Sequence, residues 1–359
     1  MRIRTAILGT GGIANAHAEA LAHIPGVEIV GAIDVDIVRA TEFAERWGIP
    51  GKWVTLNEAL SAGGIDIVHI CTPPGTHLPL ALEALSLGVN ALIEKPPTLS
   101  LQQQQTLVEA AAASSANAAV VFQHRFGSGA NALRHLVASG VLGKPTVATC
   151  DTLWYREDAY YDLPWRGSWD AEGGGPTMGH GIHQYDLMLS VLGPWRRVSA
   201  LTARRARPVE TEDVSVAVVE FESGAVASVV NSVVSPREVS SLRFDFEHAT
   251  VEVSHLYGYS DSDWTFTPAP GYEQLAESWS AELSGGESNH LAQFEAVYRA
   301  IAAGDAPSVA IADASVTLEL AAGIYLSAET QRVVDRSELT PGSTIWTSMR
   351  SDIGGIWVR

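Results

Sequence analysis

The chain is poor in cysteine, short of positive charge and without a long apolar run. Only two cysteines occur among 359 residues: Cys71 inside an apolar stretch and Cys150 near another. Neither has the paired spacing of a metal-ligand set, so no disulfide and no metal centre are expected. Lys and Arg total 23 against 41 Asp and Glu, a net charge of −18. Such a field repels nucleic acid and anionic lipid, which argues against both as partners. No uninterrupted apolar segment approaches the ~20 residues of a membrane span. The first strand is expected at about residue 3, which leaves no room ahead of it for a secretory leader. A cytoplasmic setting is therefore expected. Internal repeats are missing too, and the four glutamines at 102–105 read as the wet first turn of a helix that Ser100 and Gln103 could cap.

What is present is apolar residue enough, 46% of the chain, to fill two cores over a length that suggests two domains. An apolar run from Thr5 to Leu8 breaks into Gly9-Thr10-Gly11-Gly12-Ile13-Ala14 and resumes with helical period from Asn15. This predicts strand, tight turn and helix. Gly9 takes the turn dihedrals, Gly11 lets a diphosphate approach the backbone, and Ala14 is small enough for close helix–strand packing. The helix then points its positive end at phosphate. A plain structural turn explains a share of such matches, so the next strand matters: Glu28 to Ile33 is short and apolar and ends at Asp34, 23 residues past Gly11, where a ribose-binding acid belongs. A carboxylate there favours NAD over a 2′-phosphorylated cofactor, while nearby Arg39 leaves NADP open.

Further along, Ile37–Trp47 and 57–62 read as helices, and 65–71 is apolar enough to be a strand buried on both faces, as in parallel sheets. Thr72-Pro73-Pro74-Gly75-Thr76-His77 breaks it, a helix runs from His77 to about Leu87, and a strand at 89–93 closes on Glu94-Lys95-Pro96-Pro97. Another helix to about Ala113 and a strand at 118–122 complete the β-α-β rhythm. At Gln123-His124-Arg125-Phe126 the character changes. A helix at about 130–139 leads to alternating strands at 214–221, 225–233, 242–247 and 250–253, read as antiparallel hairpins. The last third returns to helix, with Leu291, Phe294, Val297, Tyr298 and Ile301 on one stripe and an Ala-rich helix at about 313–334. The expected fold is α/β: a doubly wound Rossmann-type parallel sheet over residues 1–123, then an α+β domain over 124–359 with a large, mainly antiparallel, open-faced sheet. Chemistry is expected in the cleft between them.

Three stretches supply candidate chemistry. Lys95 sits at the carboxyl end of a parallel strand, the edge where such sheets bind ligands, and Pro96 forces it extended. An ammonium there can hydrogen-bond a substrate hydroxyl and favour its alkoxide as hydride leaves. The ordinary alternative is a surface lysine. A glycine loop at 173–175 runs into a helix carrying His180 and His183, three apart and so on one face. Further metal ligands are wanting there, and a histidine that moves a hydroxyl proton suits neutral pH, against the alternative of histidines that merely satisfy a buried loop. Finally, Trp154, Tyr155, Arg156, Trp165 and Arg166 belong to a stretch dense in rings and guanidinium groups, which suits a polyol or sugar ring or else a subunit interface.

Taken together, these residues resemble the glucose-fructose oxidoreductase, inositol dehydrogenase and MocA family over nearly the whole chain. The resemblance rests on Gly9 to Ala14, on Cys71-Thr72-Pro73-Pro74 with His77, and on Glu94-Lys95-Pro96. It also rests on Gly140-Val141-Leu142-Gly143, the glycines at 173–175, and Gly181-Ile182-His183 with Asp186. It implies an NAD(P)-linked oxidoreductase acting on a sugar, inositol or related polyol, with an open sheet that pairs copies into homodimers or homotetramers. Lys95 matches the family's catalytic lysine and His183 its catalytic histidine. Gly9, Thr10, Gly11, Gly12, Ile13 and Asp34 are the cofactor residues of the first turn. Cys71, Thr72, Pro73, Pro74 and His77, then Glu94, Lys95, Pro96 and Gln123, extend that set. Substrate residues are Lys95, Arg125, Trp154, Tyr155, Arg156, Trp165, Arg166, His180, His183 and Asp186. Where the family commonly has an aspartate four residues before the histidine, this chain has Gly179, and His180 is the candidate to assist instead. Two rival functions stay open: a non-catalytic dinucleotide and sugar sensor, and a redox-neutral enzyme of glycosidase or epimerase type that recycles its NAD.

Overall fold

The computed structural model describes residues 2–350, which divide into two compact units. The first contains the residues up to Thr98, Gln103–Val121 and His290–Ala314. Its elements begin β1 (Ile3–Leu8), α1 (Gly12–Ala22), β2 (Val27–Ile33), α2 (Ile37–Trp47), β3 (Gly51–Trp53), α3 (Leu56–Ala62) and β4 (Ile67–Ile70). They continue α4 (His77–Ser86), β5 (Asn90–Ile93), α5 (Leu101–Ala113, in this unit from Gln103 on) and β6 (Ala118–Val120). The six strands form one parallel sheet in the order β3-β2-β1-β4-β5-β6. The order reverses between β1 and β4, so their carboxyl ends open the crevice where such sheets bind ligands. Local chemistry agrees with this layout. Asp36 caps α2 by accepting from the Val38 amide, Gly48 ends it at φ 66°, and Thr55 with Glu58 makes a reciprocal cap on α3. β4 is buried along its length, as a strand covered on both faces must be.

The expected break at residue 123 is not the whole boundary. Residues 290–314, placed by sequence in the second domain, belong to the first unit. There Phe294, Val297 and Tyr298 share a core with Ala14, Ala18 and Leu21 of α1. Each such large side chain contributes about 1.5–3 kcal/mol on burial, which explains why the chain returns.

The second unit contains Leu99–Gln102, Phe122–Asn289 and the residues from Ser315 on; residues 351–359 of the expected second domain lie outside those described. It carries α6 (Ser128–Ala138), β7 (Pro145–Tyr155), the short α7 (Trp169–Glu172) and α8 (Pro176–Gly179), then α9 (Ile182–Leu192). β8 (Trp195–Ala203), β9 (Val214–Phe221), β10 (Val226–Ser232), β11 (Val234–Phe246), β12 (Ala249–His255) and β13 (Trp264–Pro268) follow. α10 (Leu275–Glu282) precedes α11 (His290–Ala303) of the first unit, and α12 (Ser315–Thr330) and β14 (Val334–Asp335) close the series. The eight strands run β13-β12-β11-β7-β10-β9-β8-β14, with β7 and β10 parallel and every other pair antiparallel. α12 packs closely on β8 because Gly323 leaves room for Trp195 and Val198. One sheet face stays open: Val147, Val216, Val218 and Val226 lie on it, each 42–54% exposed.

Candidate active site

In the first unit the turn after β1 is built as the glycines suggest. Gly9 has φ +87°, and a Cβ there would lie 2.8–2.9 Å from the Thr72 side chain and the Cys71 carbonyl group, so only glycine fits. α1 starts at Gly12, three residues earlier than the periodicity indicates, because a glycine pair carries no apolar signal. Asn15 is instead inside the helix and accepts from Arg46 and Trp47. Gly11 is its N-cap, without a side-chain cap hydrogen bond, and a Cβ on Gly12 would meet nothing within 4 Å. Uncapped amides facing open space fit a diphosphate. Asp34, at the end of β2, accepts from the Thr10 amide at 2.9 Å and hydroxyl at 2.8 Å, and from the Asp36 amide at 3.0 Å. Arg39 lies 4.0 Å from the same carboxylate. Burial works against the charge, but these bonds outweigh it and hold the Asp34 pKa below its ordinary value. The turn thus keeps an anionic acceptor where a ribose hydroxyl would donate.

The loops after β4 and β5 complete this edge. Thr72 accepts from the Thr76 hydroxyl at 2.7 Å, and Pro73 and Pro74 lead into a 3₁₀ turn. His77 at the start of α4 has Nε2 2.8 Å from the Thr72 carbonyl and Nδ1 2.8 Å from the Pro96 carbonyl, so it ties the two loops together. Burial holds its pKa below the usual histidine value against the pull of those carbonyls. Lys95 stands two residues past the end of β5, on the edge that carries Gly9 and Asp34. Glu94, expected among cofactor residues, is buried: Oε1 accepts from His17 at 2.9 Å and Oε2 from the Lys95 amide at 3.2 Å. The thiol of Cys71 is buried 3.3 Å from His17, and burial pushes its pKa well up.

In the second unit His183 occupies the first turn of α9, in a tight setting where a Cβ on Gly181 would collide with Asn231. The His183 ring is 4.9 Å from that of His124 and 6.2 Å from those of Phe122 and Tyr257. His124 donates to the Tyr257 carbonyl at 2.6 Å. Its other nitrogen faces the Gln184 amide at 3.3 Å, and that amide also meets His255 at 2.9 Å. Burial pushes the His255 pKa down to about 4, so it accepts there as a neutral ring. Gln123, a cofactor expectation, donates to the Tyr257 hydroxyl at 3.1 Å.

His180 lies 5.4 Å from the Trp154 ring and within 3.4 Å of the Tyr160 hydroxyl. Arg166 stacks over Tyr160 and Trp165, bonds the Tyr160 hydroxyl and pairs with Glu172 at 3.1 Å. Arg156 stacks over Trp154 and pairs with Glu238 at 3.1 Å. Each guanidinium is thereby neutralised by a carboxylate. Strand alternation sends Tyr155 to the opposite face of β7 from Trp154, where Arg207 stacks on it. Arg125 and Asp186 meet each other: two bonds of 2.6 Å join them, the Thr317 hydroxyl adds a third at 2.7 Å, and Asp186 is fully buried. The pair fastens the 3₁₀ turn Gln123–Phe126 to α9, one helical turn beyond His183.

Sequence reasoning passed over His17, His69, His290, His124, Tyr160 and Tyr257. A weak signal was available, since His17 stands three residues after Ala14 on the inner face of α1 and His69 lies mid-strand in β4, both places for apolar side chains. His17, Glu94 and His290 bring donor atoms within 4.8 Å of one another. His17 and Glu94 already satisfy each other, and His290 stands 3.8 Å from the carboxylate.

Residues 3–122 match the family described as oxidoreductase family, NAD-binding Rossmann fold, and residues 130–271 match the GFO/IDH/MocA C-terminal domain. The chain is 27% identical to the D-glucoside 3-dehydrogenase of Escherichia coli, over 91% of this chain and 96% of that one. It is 27% identical to the NAD(+)-dependent scyllo-inositol 2-dehydrogenase of Bacillus subtilis, over 89% and 92%. Among solved structures, the WlbA dehydrogenase of Chromobacterium violaceum, crystallised with NADH and UDP-GlcNAcA, superposes with a TM-score of 0.81 at 27% identity, covering 93% and 96%.

Proposed function

The chain belongs to the Gfo/Idh/MocA family of NAD-binding oxidoreductases, and from that premise we propose that it transfers a hydride between NAD and a secondary hydroxyl or ketone of a sugar, inositol or related polyol. The observation that carries this is the placement of Lys95 on the sheet edge that also holds the Gly9 turn and Asp34. When bound, NAD supplies the hydride acceptor or donor. Uncapped amides of α1 hold its diphosphate and Asp34 a ribose hydroxyl, whose charge disfavours a 2′-phosphate. Lys95 donates to the substrate oxygen and stabilises the alkoxide as the carbon–hydrogen bond weakens, while His183 takes the hydroxyl proton and His180 assists. Gly179 has no carboxylate to offer and open space around it. Arg156 and Arg166 are already matched by Glu238 and Glu172, which leaves stacked rings beside them and favours a neutral polyol.

The test is net NADH formation across a panel of neutral sugars and cyclitols. Wild-type protein is expected to turn over at least one of them. Lys95→Met and His183→Ala should each lose about 10²–10⁴-fold in kcat/KM, with NAD affinity unchanged in His183→Ala. Full turnover by His183→Ala would refute the assignment, and product without net NADH would point to internal recycling. In the same reading the open valine face pairs with a second copy of the chain in the cytoplasm, which sedimentation at dimer or tetramer mass would support and a monomer would refute.

A further inference from the structure

A chain of buried polar groups runs through the first unit and ends on the main chain of Lys95. Thr5 Oγ1 lies 2.7 Å from the Tyr298 hydroxyl, which is 2.8 Å from His69 Nε2; His69 Nδ1 is 2.8 Å from His17 Nδ1, and His17 Nε2 is 2.9 Å from Glu94. The other Glu94 oxygen receives the Lys95 amide at 3.2 Å. Phe294 packs against the rings of His17, His69 and His290 and keeps water out.

The proton positions follow from these contacts once the charge states are set. Burial opposes the Glu94 charge, but the histidines around it prevail and keep it a carboxylate, which only accepts. His17 must therefore carry its proton on Nε2 and accept at Nδ1. Burial keeps both rings neutral, so His69 must donate from Nδ1 and accept at Nε2, Tyr298 must donate to His69, and Thr5 must donate to Tyr298. Every link has one orientation. A network so directed holds its members rigidly, and the Cys71 thiol, 3.3 Å from the same His17 nitrogen, is a further donor to it.

His17 belongs to the helix whose first turn faces the cofactor, while Glu94 adjoins the lysine assigned above to the substrate oxygen. We propose that His17, acting through Glu94, is a positioning residue that fixes the Lys95 main chain relative to the dinucleotide-binding helix. His77, which faces the Pro96 carbonyl at 2.8 Å, secures the other side of the same turn. The role in turnover rests on the reading of Lys95 given above; the positioning itself does not.

The experiment uses full-length protein with NAD. With ring-15N histidine, wild type should show His17 protonated on Nε2 and His69 on Nδ1. Glu94→Gln should reverse both tautomers, since a Gln that accepts the Lys95 amide must present its NH₂ to His17. With 13Cε-lysine, the Lys95 resonance, assigned by Lys95→Arg, should move or broaden in His17→Leu and return in His17→Gln, whose amide can donate to Glu94. On whichever polyol wild type oxidises, His17→Leu should lose about 10²-fold in kcat, as a misplaced catalytic group does, with KM and NAD affinity within about threefold, and His17→Gln should recover most of it. An unmoved Lys95 signal, a kcat loss matched by equal loss of NAD affinity, or no recovery with Gln would overturn the proposal. So would one divalent metal ion per purified chain, because His17, Glu94 and His290 would then be its ligands. If wild type oxidises no polyol, the functional reading falls, while the Lys95 and histidine spectra still decide the positioning.

Discussion

Replacing Arg125 with methionine removes one half of the buried pair that fastens α9 to the turn before α6, and the cost follows from the geometry. Asp186 would keep the Thr317 hydroxyl but lose both 2.6 Å bonds from the guanidinium, leaving a carboxylate with no exposed surface and no bonded countercharge, only the more distant pull of Arg134. Two charge-assisted bonds contribute about 1.5–3 kcal/mol each, and orphaning a buried charge costs about 3–5 kcal/mol, so the two estimates agree. For a body of this size that corresponds to a fall in melting temperature of roughly 6–20 °C. The pair does not favour folding by that amount, however. Against apolar groups of similar volume, the desolvation of both charges roughly cancels their attraction. Arg125→Met with Asp186→Leu should therefore recover to within about 1–2 kcal/mol of wild type. A urea-denaturation cycle over the four proteins measures this coupling directly. His183 lies one helical turn from Asp186, so Arg125→Met should also lower kcat more than the double variant does. A loss below about 1 kcal/mol in Arg125→Met, or a double variant as unstable as the summed singles, would refute the reasoning.

Two further expectations concern backbone and pH. Gly9→Ala imposes an L side chain at φ +87° within 2.9 Å of the Cys71 carbonyl and should cost about 2–4 kcal/mol, with NAD affinity falling in a fluorescence titration; unchanged affinity would show that the turn does not hold the cofactor. Burial lowers the pKa of His17, His69 and His255 below their unfolded value, so the stability they contribute is complete above about pH 6.5 and is lost as the pH falls below it, because only the unfolded chain takes up those protons. Each adds a slope of about 1.4 kcal/mol per pH unit, and His255, at about 4, amounts to about 3 kcal/mol over its window. Stability unchanged between pH 7 and about pH 5 in calorimetry would count against neutral buried rings.

The parallel sheet was legible because its strands are near-continuous apolar runs punctuated by glycine and proline, and a strand buried on both faces needs nothing else. β7 was not, since its inward residues Ala148, Cys150 and Thr152 are small or polar and blur the alternation until Trp154. Nor was its parallel pairing with β10, for register between distant strands leaves no local trace. Lys95 and His183 stand out in sequence as candidates because one comes just after a strand and the other opens a helix. Asp186 and Arg125 look like ligand residues in sequence for the same reason that they bind each other: both are charges in apolar surroundings, and only coordinates say which partner each has found. The histidine chain was hidden by distance, since its members stand at 17, 69 and 94, and the tyrosine at 298 reads as one more residue of an apolar stripe.

The return of His290–Ala314 to the first unit has a consequence for synthesis on the ribosome. Tyr298, Phe294 and Val297 emerge only after the whole run of residues 122–289 has been translated, so the nucleotide-binding half must wait with an open flank. At ~5–20 residues per second that delay is on the order of ten to forty seconds. During it the apolar side of the first helix is exposed to whatever chaperone or neighbouring nascent chain is at hand.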